Sequence, residues 1–333
     1  MSERSIGTSE RAAAADAEAP SEPVDVDAAD AGGDGPPRRI SSRPSSQARQ
    51  IPGPGAGVLA LLSLAWLGAT LWGLQREIST SVTDAVAIAS AAISLPNVVS
   101  ASLVAGAATG ALAVNLIARA GWTATARWAG ALGASILVGL LAALGVIAGY
   151  DGVGSGVLAG TIAAAAVVGG AIAGLRPTCV VTAVTVGALV EFAVVFVLNF
   201  LGVGVTYSSG ALTMLVAALI GAVCGGIVPF VYLRRVTRRE STEAGALRWP
   251  AYMLAGAGVG LALLVTELIT RVGGGQVLDA VASLSDFDRA FRANADADRL
   301  MFALIVLFVG AVAATIALGR TLPSPSSKKR VEL

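Results

Sequence analysis

Eight apolar stretches of membrane-spanning length follow one another between Gly57 and Gly319, and that succession leaves few folds open. About 20 apolar residues in helical form cross a hydrocarbon layer roughly 30 Å thick. No water is available there to satisfy the backbone, so each crossing segment must close its own hydrogen bonds as a helix. Hydropathy places the spans at 57–74, 95–117, 128–149, 154–175, 179–203, 209–233, 250–270 and 300–319. Six of the eight carry no charged residue. The expected fold class is therefore all-α, a polytopic integral membrane protein built as one bundle of eight transmembrane helices.

The basic residues orient it. Threading the spans puts eighteen Lys and Arg on the side that holds both termini and five (Arg76, Arg271, Arg289, Arg292 and Arg299) on the other. Positive residues in short loops stay cytoplasmic, so both termini are expected in the cytoplasm of a plasma-membrane protein. Three regions follow: a cytoplasmic tail over 1–53, the transmembrane domain over 54–320, and a short basic tail over 321–333. The first tail is rich in Ala, Ser, Pro and acids and lacks an apolar period, which predicts disorder. Its Arg38-Arg39-Ile40-Ser41 run fits a loose basophilic kinase pattern. The apolar run starts too far into the chain for a secretory signal peptide.

Composition excludes several kinds of chemistry. The chain has no His, and its only lysines are Lys328 and Lys329, so His relays, His-ligated metals and a Walker-type phosphate loop are ruled out within it. Cys179 and Cys224 are too few for a metal cage and are read as small buried hydrophobes. No basic stripe suits a nucleic acid. Tyr150-Asp151 matches the dipeptide of intramembrane aspartyl proteases, but no second membrane aspartate exists to share its proton. Asn294-x-Asp296-x-Asp298 imitates the start of a calcium loop whose required Gly and final Glu are Arg299 and Ile305 here. No cofactor, metal site or enzymatic activity is expected.

With 40 glycines and aromatic residues at only 5%, the helices must pack through small side chains. The small-xxx-small pairs assigned to packing are Gly106/Gly110, Gly156/Gly160, Gly170/Gly174, Gly221/Gly225 and Gly256/Gly260. Pro96 and Pro229 read as markers of helix ends. Two segments facing away from the termini, 76–93 and 276–294, place apolar residues at helical spacing and are expected as short amphipathic helices at the membrane interface. A duplication of four spans plus four, in parallel orientation, is suggested by three matches. Arg127-Trp128 and Arg248-Trp249 open the third and seventh spans, Arg176 and Arg320 close the fourth and eighth, and Leu103-Val104-Ala105-Gly106 pairs with Leu215-Val216-Ala217-Ala218.

Glu191 is the residue most suggestive of function. It lies near the middle of the fifth span, where an ionisable group costs several kcal/mol unless it is paired, solvated or protonated. It reads either as a cation- or proton-coupling carboxylate in a transport pathway or as a neutral packing group. Asn199 and Asn115 are candidates for the same pathway, and equally for structural cross-links. Glu267 and Arg271, at i and i+4, are expected to form a local ion pair. Two functions stay open: a secondary-transporter or permease-like subunit using Glu191, and a non-catalytic scaffold for a cell-envelope or division assembly. The expected partners are the lipid bilayer and either another membrane protein or a second copy of the chain.

The orientation can be tested directly. Cysteines introduced at Asp84, Asp151, Ser208 and Asp288 should react with an impermeant thiol reagent on intact cells, and those at Arg119, Arg238 and Ser326 should not. Labelling at Arg238 from outside would overturn the assignment.

Overall fold

The computed structural model describes residues 55–81, 84–149, 154–175, 178–201, 211–240, 249–282 and 286–321. The expectations made for the 1–53 tail, for the Ser41 motif and for the tail after Thr321 lie outside the described residues. Within them the chain forms α1 (Ala56–Ser79), α2 (Asp84–Arg119), α3 (Ala124–Gly149), α4 (Ser155–Ala173), α5 (Thr178–Phe200), α6 (Ala211–Glu240), α7 (Trp249–Gly273), α8 (Gly275–Ala282) and α9 (Asp286–Gly319). Eight of these are long and apolar enough to cross a membrane, α8 being the exception. No strand occurs among the described residues.

Helix lengths depart from the expected spans in an informative way. The 36 residues of α2 cover about 54 Å at 1.5 Å per residue, well beyond a hydrocarbon layer of roughly 30 Å. Segment 76–93 is thus no separate interfacial helix: its first residues finish α1 and its later ones begin α2. Segment 276–294 is likewise divided between α8 and the start of the 34-residue α9. The reason is local burial. Val277 and Leu278 of α8 pack with Ala92 of α2 and the partly buried Val157 of α4, so this apolar face meets protein rather than lipid. Pro96 and Pro229 sit inside α2 and α6 instead of marking their ends. The Pro229 ring is fully buried where Gly187 of α5 leaves room for it.

Backbones meet closely wherever glycine allows. At Gly106 a Cβ would collide with the backbone carbonyl of Ala166, so α2 and α4 touch main chain to main chain. Gly169 does the same against the Leu103 carbonyl. In α9, Gly310 meets both Gly226 of α6 and Gly256 of α7. The assigned packing glycines divide accordingly. Gly106, Gly110, Gly170, Gly174, Gly256 and Gly260 make tight approaches, whereas Gly221 and Gly225 face neighbours at ordinary van der Waals range. Gly156 and Gly160 are exposed with nothing within 4 Å of a Cβ, so they pack no helix of this chain. Their spacing is right, but it falls on the outer face of α4.

These contacts recur in register between the two halves. Ser135 and Gly139 lie seven and eleven residues after Trp128, and Gly256 and Gly260 lie seven and eleven after Trp249. Ser135 meets Gly170 and Gly139 meets Ala163; correspondingly, Gly256 meets Ala314 and Gly260 meets Leu307. Gly170 and Ala314 both lie six residues before the closing arginine, Arg176 or Arg320, while Ala163 and Leu307 both lie thirteen before it. The approach of Gly106 to Ala166 is matched by that of Gly226 to Gly310, and both partners stand ten residues before that arginine. The fold is thus a four-plus-four repeat, α1–α4 and α5–α7 with α9, and α8 is extra to the second half. The counterpart of Gly106 is Gly226, not Ala218, so the Leu103/Leu215 match suggested by sequence is out of register. Ala/Gly/Val-rich helices resemble one another at many offsets, and only the contacts decide between them.

Adding a methyl group should separate the two classes of glycine. Gly106→Ala forces a side chain into a backbone carbonyl that cannot yield and should cost about 1–3 kcal/mol or more. Gly156→Ala and Gly160→Ala should be neutral or stabilising by up to roughly 1 kcal/mol, from the higher helix propensity of Ala. Thermal unfolding of the purified chain in detergent measures both.

Candidate functional site

Glu191 is the fourteenth of the 23 residues of α5, which puts it just past the middle of that helix. It is 1% exposed. Four helices enclose it. Ser100, Leu103 and Val104 of α2 and Val259, Ala262, Leu263 and Thr266 of α7 line a cleft with Ala188, Glu191 and Phe192 of α5. Gly221 of α6 closes the remaining side, where a Cβ would stand 3.6 Å from Cγ and 3.7 Å from Oε1 of Glu191. The cleft is too narrow to admit a water molecule. Oε2 of Glu191 has no hydrogen-bond partner among the described residues.

The carboxyl group also stands where the two halves meet. α2 belongs to the first half and α5, α6 and α7 to the second, and one apolar cluster joins them through Val104, Ala188, Ala222, Val259 and Val306. Beside it, Trp66 of α1 stacks on Phe192 of α5, with ring centroids 6.0 Å apart and planes 8° from parallel.

Three buried hydroxyls also lack partners among the described residues: Ser102 of α2, between the cleft-lining residues Ser100 and Leu103 in sequence, and two on α7. Thr266 and Thr270 of α7 are buried, and neither Oγ1 has a hydrogen-bond partner among the described residues. The other buried threonines behave differently: Thr109, Thr161, Thr182 and Thr185 each donate to the carbonyl four residues back. The repeat sharpens the contrast. Thr266 and Thr270 stand seventeen and twenty-one residues after Trp249, and the same counts from Trp128 reach Gly145 and Gly149. Those glycines line an open groove of about 160 Å³ between α1 and α3, with Gly68, Leu71, Trp72 and Gln75 opposite. The corresponding groove of the second half carries hydroxyls and a carboxyl group, and α2 covers it.

Asn115 stands apart from this cleft. It is half-buried on α2, eleven residues beyond Val104 and so about 16 Å along the helix axis. Asn199 lies two turns beyond Glu191 on α5, and its side chain is outside the described residues. Cys179 of α5 and Cys224 of α6 are half-buried rather than buried. Asn294, Asp296 and Asp298 are all helical residues of α9, a conformation no calcium loop adopts.

Glu267 has the local partner its spacing suggests: Arg271 donates from Nε to Oε1 at 2.8 Å. It has a second one that sequence reasoning missed. Arg299 of α9 donates from Nε to Oε2 at 3.2 Å and also pairs with Asp296. Arg292 continues the network to Asp296 at 3.9 Å and to Asp279 of α8 at 2.8 Å. A signal for this existed. Arg299 and Glu267 close consecutive spans on one face of the membrane, so topology alone brings opposite charges to the same level.

Comparison with protein-family models, with curated proteins and with solved structures finds no match to this chain.

The ion network yields a graded expectation. The side chain of Glu267 is 7% exposed and serves two arginines, whereas that of Arg271 is 45% exposed. Glu267→Gln should lower stability by up to about 3–5 kcal/mol, the cost of breaking a buried pair from one side. Arg271→Gln should cost no more than about 1 kcal/mol, as for an exposed pair. Thermal unfolding with all other residues unchanged provides the comparison.

Proposed function

We propose that the protein is a secondary-transporter or permease-like subunit of the plasma membrane, with both termini cytoplasmic and Glu191 as its coupling carboxylate. The observation that carries this reading is a fully buried, unpartnered carboxyl oxygen at mid-membrane on the seam between two parallel repeats. Transporters built from repeats bind coupling ions at that level and on that seam, because rocking one half against the other exposes such a site to alternate sides. An ionisable group is retained inside a membrane against a cost of several kcal/mol, which argues for a use beyond packing. The bulk charge pattern, eighteen basic residues against five, supports the orientation.

A second reading is a non-catalytic scaffold in a cell-envelope or division assembly, with a membrane protein or another copy of the chain as partner. It draws on the dry cleft and on Gly156 and Gly160, which present a small-residue surface of α4 to the exterior. It leaves the unpartnered oxygen of Glu191 without a purpose. The transport reading is therefore preferred.

Substitution at Glu191 separates the two. A carboxyl group kept for packing would have a partner to lose, and Oε2 has none. Glu191→Gln and Glu191→Leu should both fold with stability within about 1 kcal/mol of the parent, since replacing a buried ionisable group with an apolar one of similar size is often neutral or better. Both should fail to restore growth in cells depleted of the protein. Full complementation by either variant, at normal expression, would exclude a coupling role.

A further inference from the structure

We infer that the species exchanged at Glu191 is a proton, and that it reaches the carboxyl group from the face opposite the chain termini, along the α2/α7 seam past Thr270 and Thr266. The inference rests on the reading of Glu191 as a coupling group and adds to it the identity of the ion and the side of entry.

Room and ligand number decide the identity. Hard metal cations gather about six or more oxygens. The cleft offers the Glu191 carboxyl group and the hydroxyl-bearing side chains of Ser100 and Thr266, among apolar neighbours, with no space for a water molecule to complete a shell. A proton bound to the carboxyl oxygen needs no added volume and no added ligand. Among the described residues that line the cleft, no other titratable group faces the carboxyl group. α2 presents Ser100, Leu103 and Val104, α6 presents Gly221, and α7 presents Val259, Ala262, Leu263 and Thr266. The nearest charged residue on α7, Glu267, is held by Arg271 and Arg299.

The hydroxyls decide the side. Thr266 shares the cleft with Glu191, and Thr270 stands four residues, about 6 Å, closer to the far end of α7. Both are buried with unpartnered oxygens. A buried polar group without a partner calls for an explanation, such as a transient water. Beyond Thr270 the seam is closed by Gly273 against Thr161 of α4 and Gly274 against Leu95 of α2. Toward the termini the picture is opposite. The buried hydroxyls there, Thr182 and Thr185 of α5 and Thr109 of α2, are already satisfied by their own helices. On α7 the residues below the cleft are Ala255, Gly256, Ala257 and Gly258, which offer no side-chain donor or acceptor. When the seam parts to admit water from the far face, Thr270 and Thr266 hydrogen-bond that water. A proton taken up from it by the ionised carboxylate gives the neutral acid, with no other bond formed or broken.

Infrared spectroscopy of the full chain in liposomes tests this. The carbonyl band of a neutral carboxyl group that disappears in Glu191→Gln identifies the site, and its shift in D₂O times the exchange. The band should be indifferent to replacing Na⁺ with choline at fixed pH. Thr266→Val and Thr270→Val, nearly isosteric, should slow its exchange by about tenfold or more, as expected for losing a hydrogen-bonding step. Thr266→Ser should restore it, and Thr182→Val and Thr185→Val should leave it unchanged. Loss of the band on adding Na⁺ would overturn the proton assignment. Unaltered exchange in the Thr266 and Thr270 variants, or slowing in Thr185→Val, would overturn the route. Failure of the transport reading itself would show separately, as full complementation by Glu191→Gln with these kinetics intact.

Discussion

Everything in this bundle depends on how closely two helix backbones can approach without side chains between them. In lipid the hydrophobic effect does not drive helices together, because the alternative environment is equally apolar. Dispersion between well-fitted surfaces must do most of that work, and dispersion decays within about an ångström of extra separation. Gly106, Gly169, Gly226, Gly256, Gly260 and Gly310 supply that fit. They place α2 on α4, and α6 and α7 on α9, at distances where any side chain would collide. The same set of approaches, repeated in each half, gives the protein its four-plus-four construction.

That construction accounts for where the buried polar groups lie among the described residues. Both halves contain a groove between their first and third helices. In the first half the groove is lined by Gly68, Leu71, Gly145 and Gly149 and stays open. In the second half Glu191, Thr266 and Thr270 occupy the corresponding helices, and α2 from the other half lies over Glu191 and Thr266. A carboxyl group in the open groove would face lipid at full desolvation cost. Under α2 it is sheltered at the junction of the halves, where relative movement has the greatest effect on access.

Much of the fold could be read directly from the residues, since eight apolar runs of the right length admit few alternatives. The place of Glu191 near the middle of its helix followed equally well, because the fifth apolar run fixes the helix around it. What could not be read were relations between helices. Gly156/Gly160 and Gly106/Gly110 are the same pattern in sequence, yet one faces outward and the other meets α4, and only rotation about each helix axis distinguishes them. The Leu103/Leu215 match misled for a related reason: similar composition permits many registers. Thr266 and Thr270 drew no attention because a threonine in a span normally bonds back to its own helix. Their significance lies in a missing bond, which no residue type announces. The second partner of Glu267 was within reach, had the seventh and eighth spans been compared at their common end.

The glycine contacts also divide the molecule mechanically. Where main chain rests on main chain, no rotamer is available to absorb a displacement, so α2 with α4, and α9 with α6 and α7, are packed without slack. The junction between the halves is different. It is filled by Val104, Phe192, Val259 and Leu263, side chains that can turn about their own bonds as the surfaces shift. At the level of Glu191, tight glycine packing within each half gives way to larger side chains at the junction, which Gly273 and Gly274 close nearer the far face.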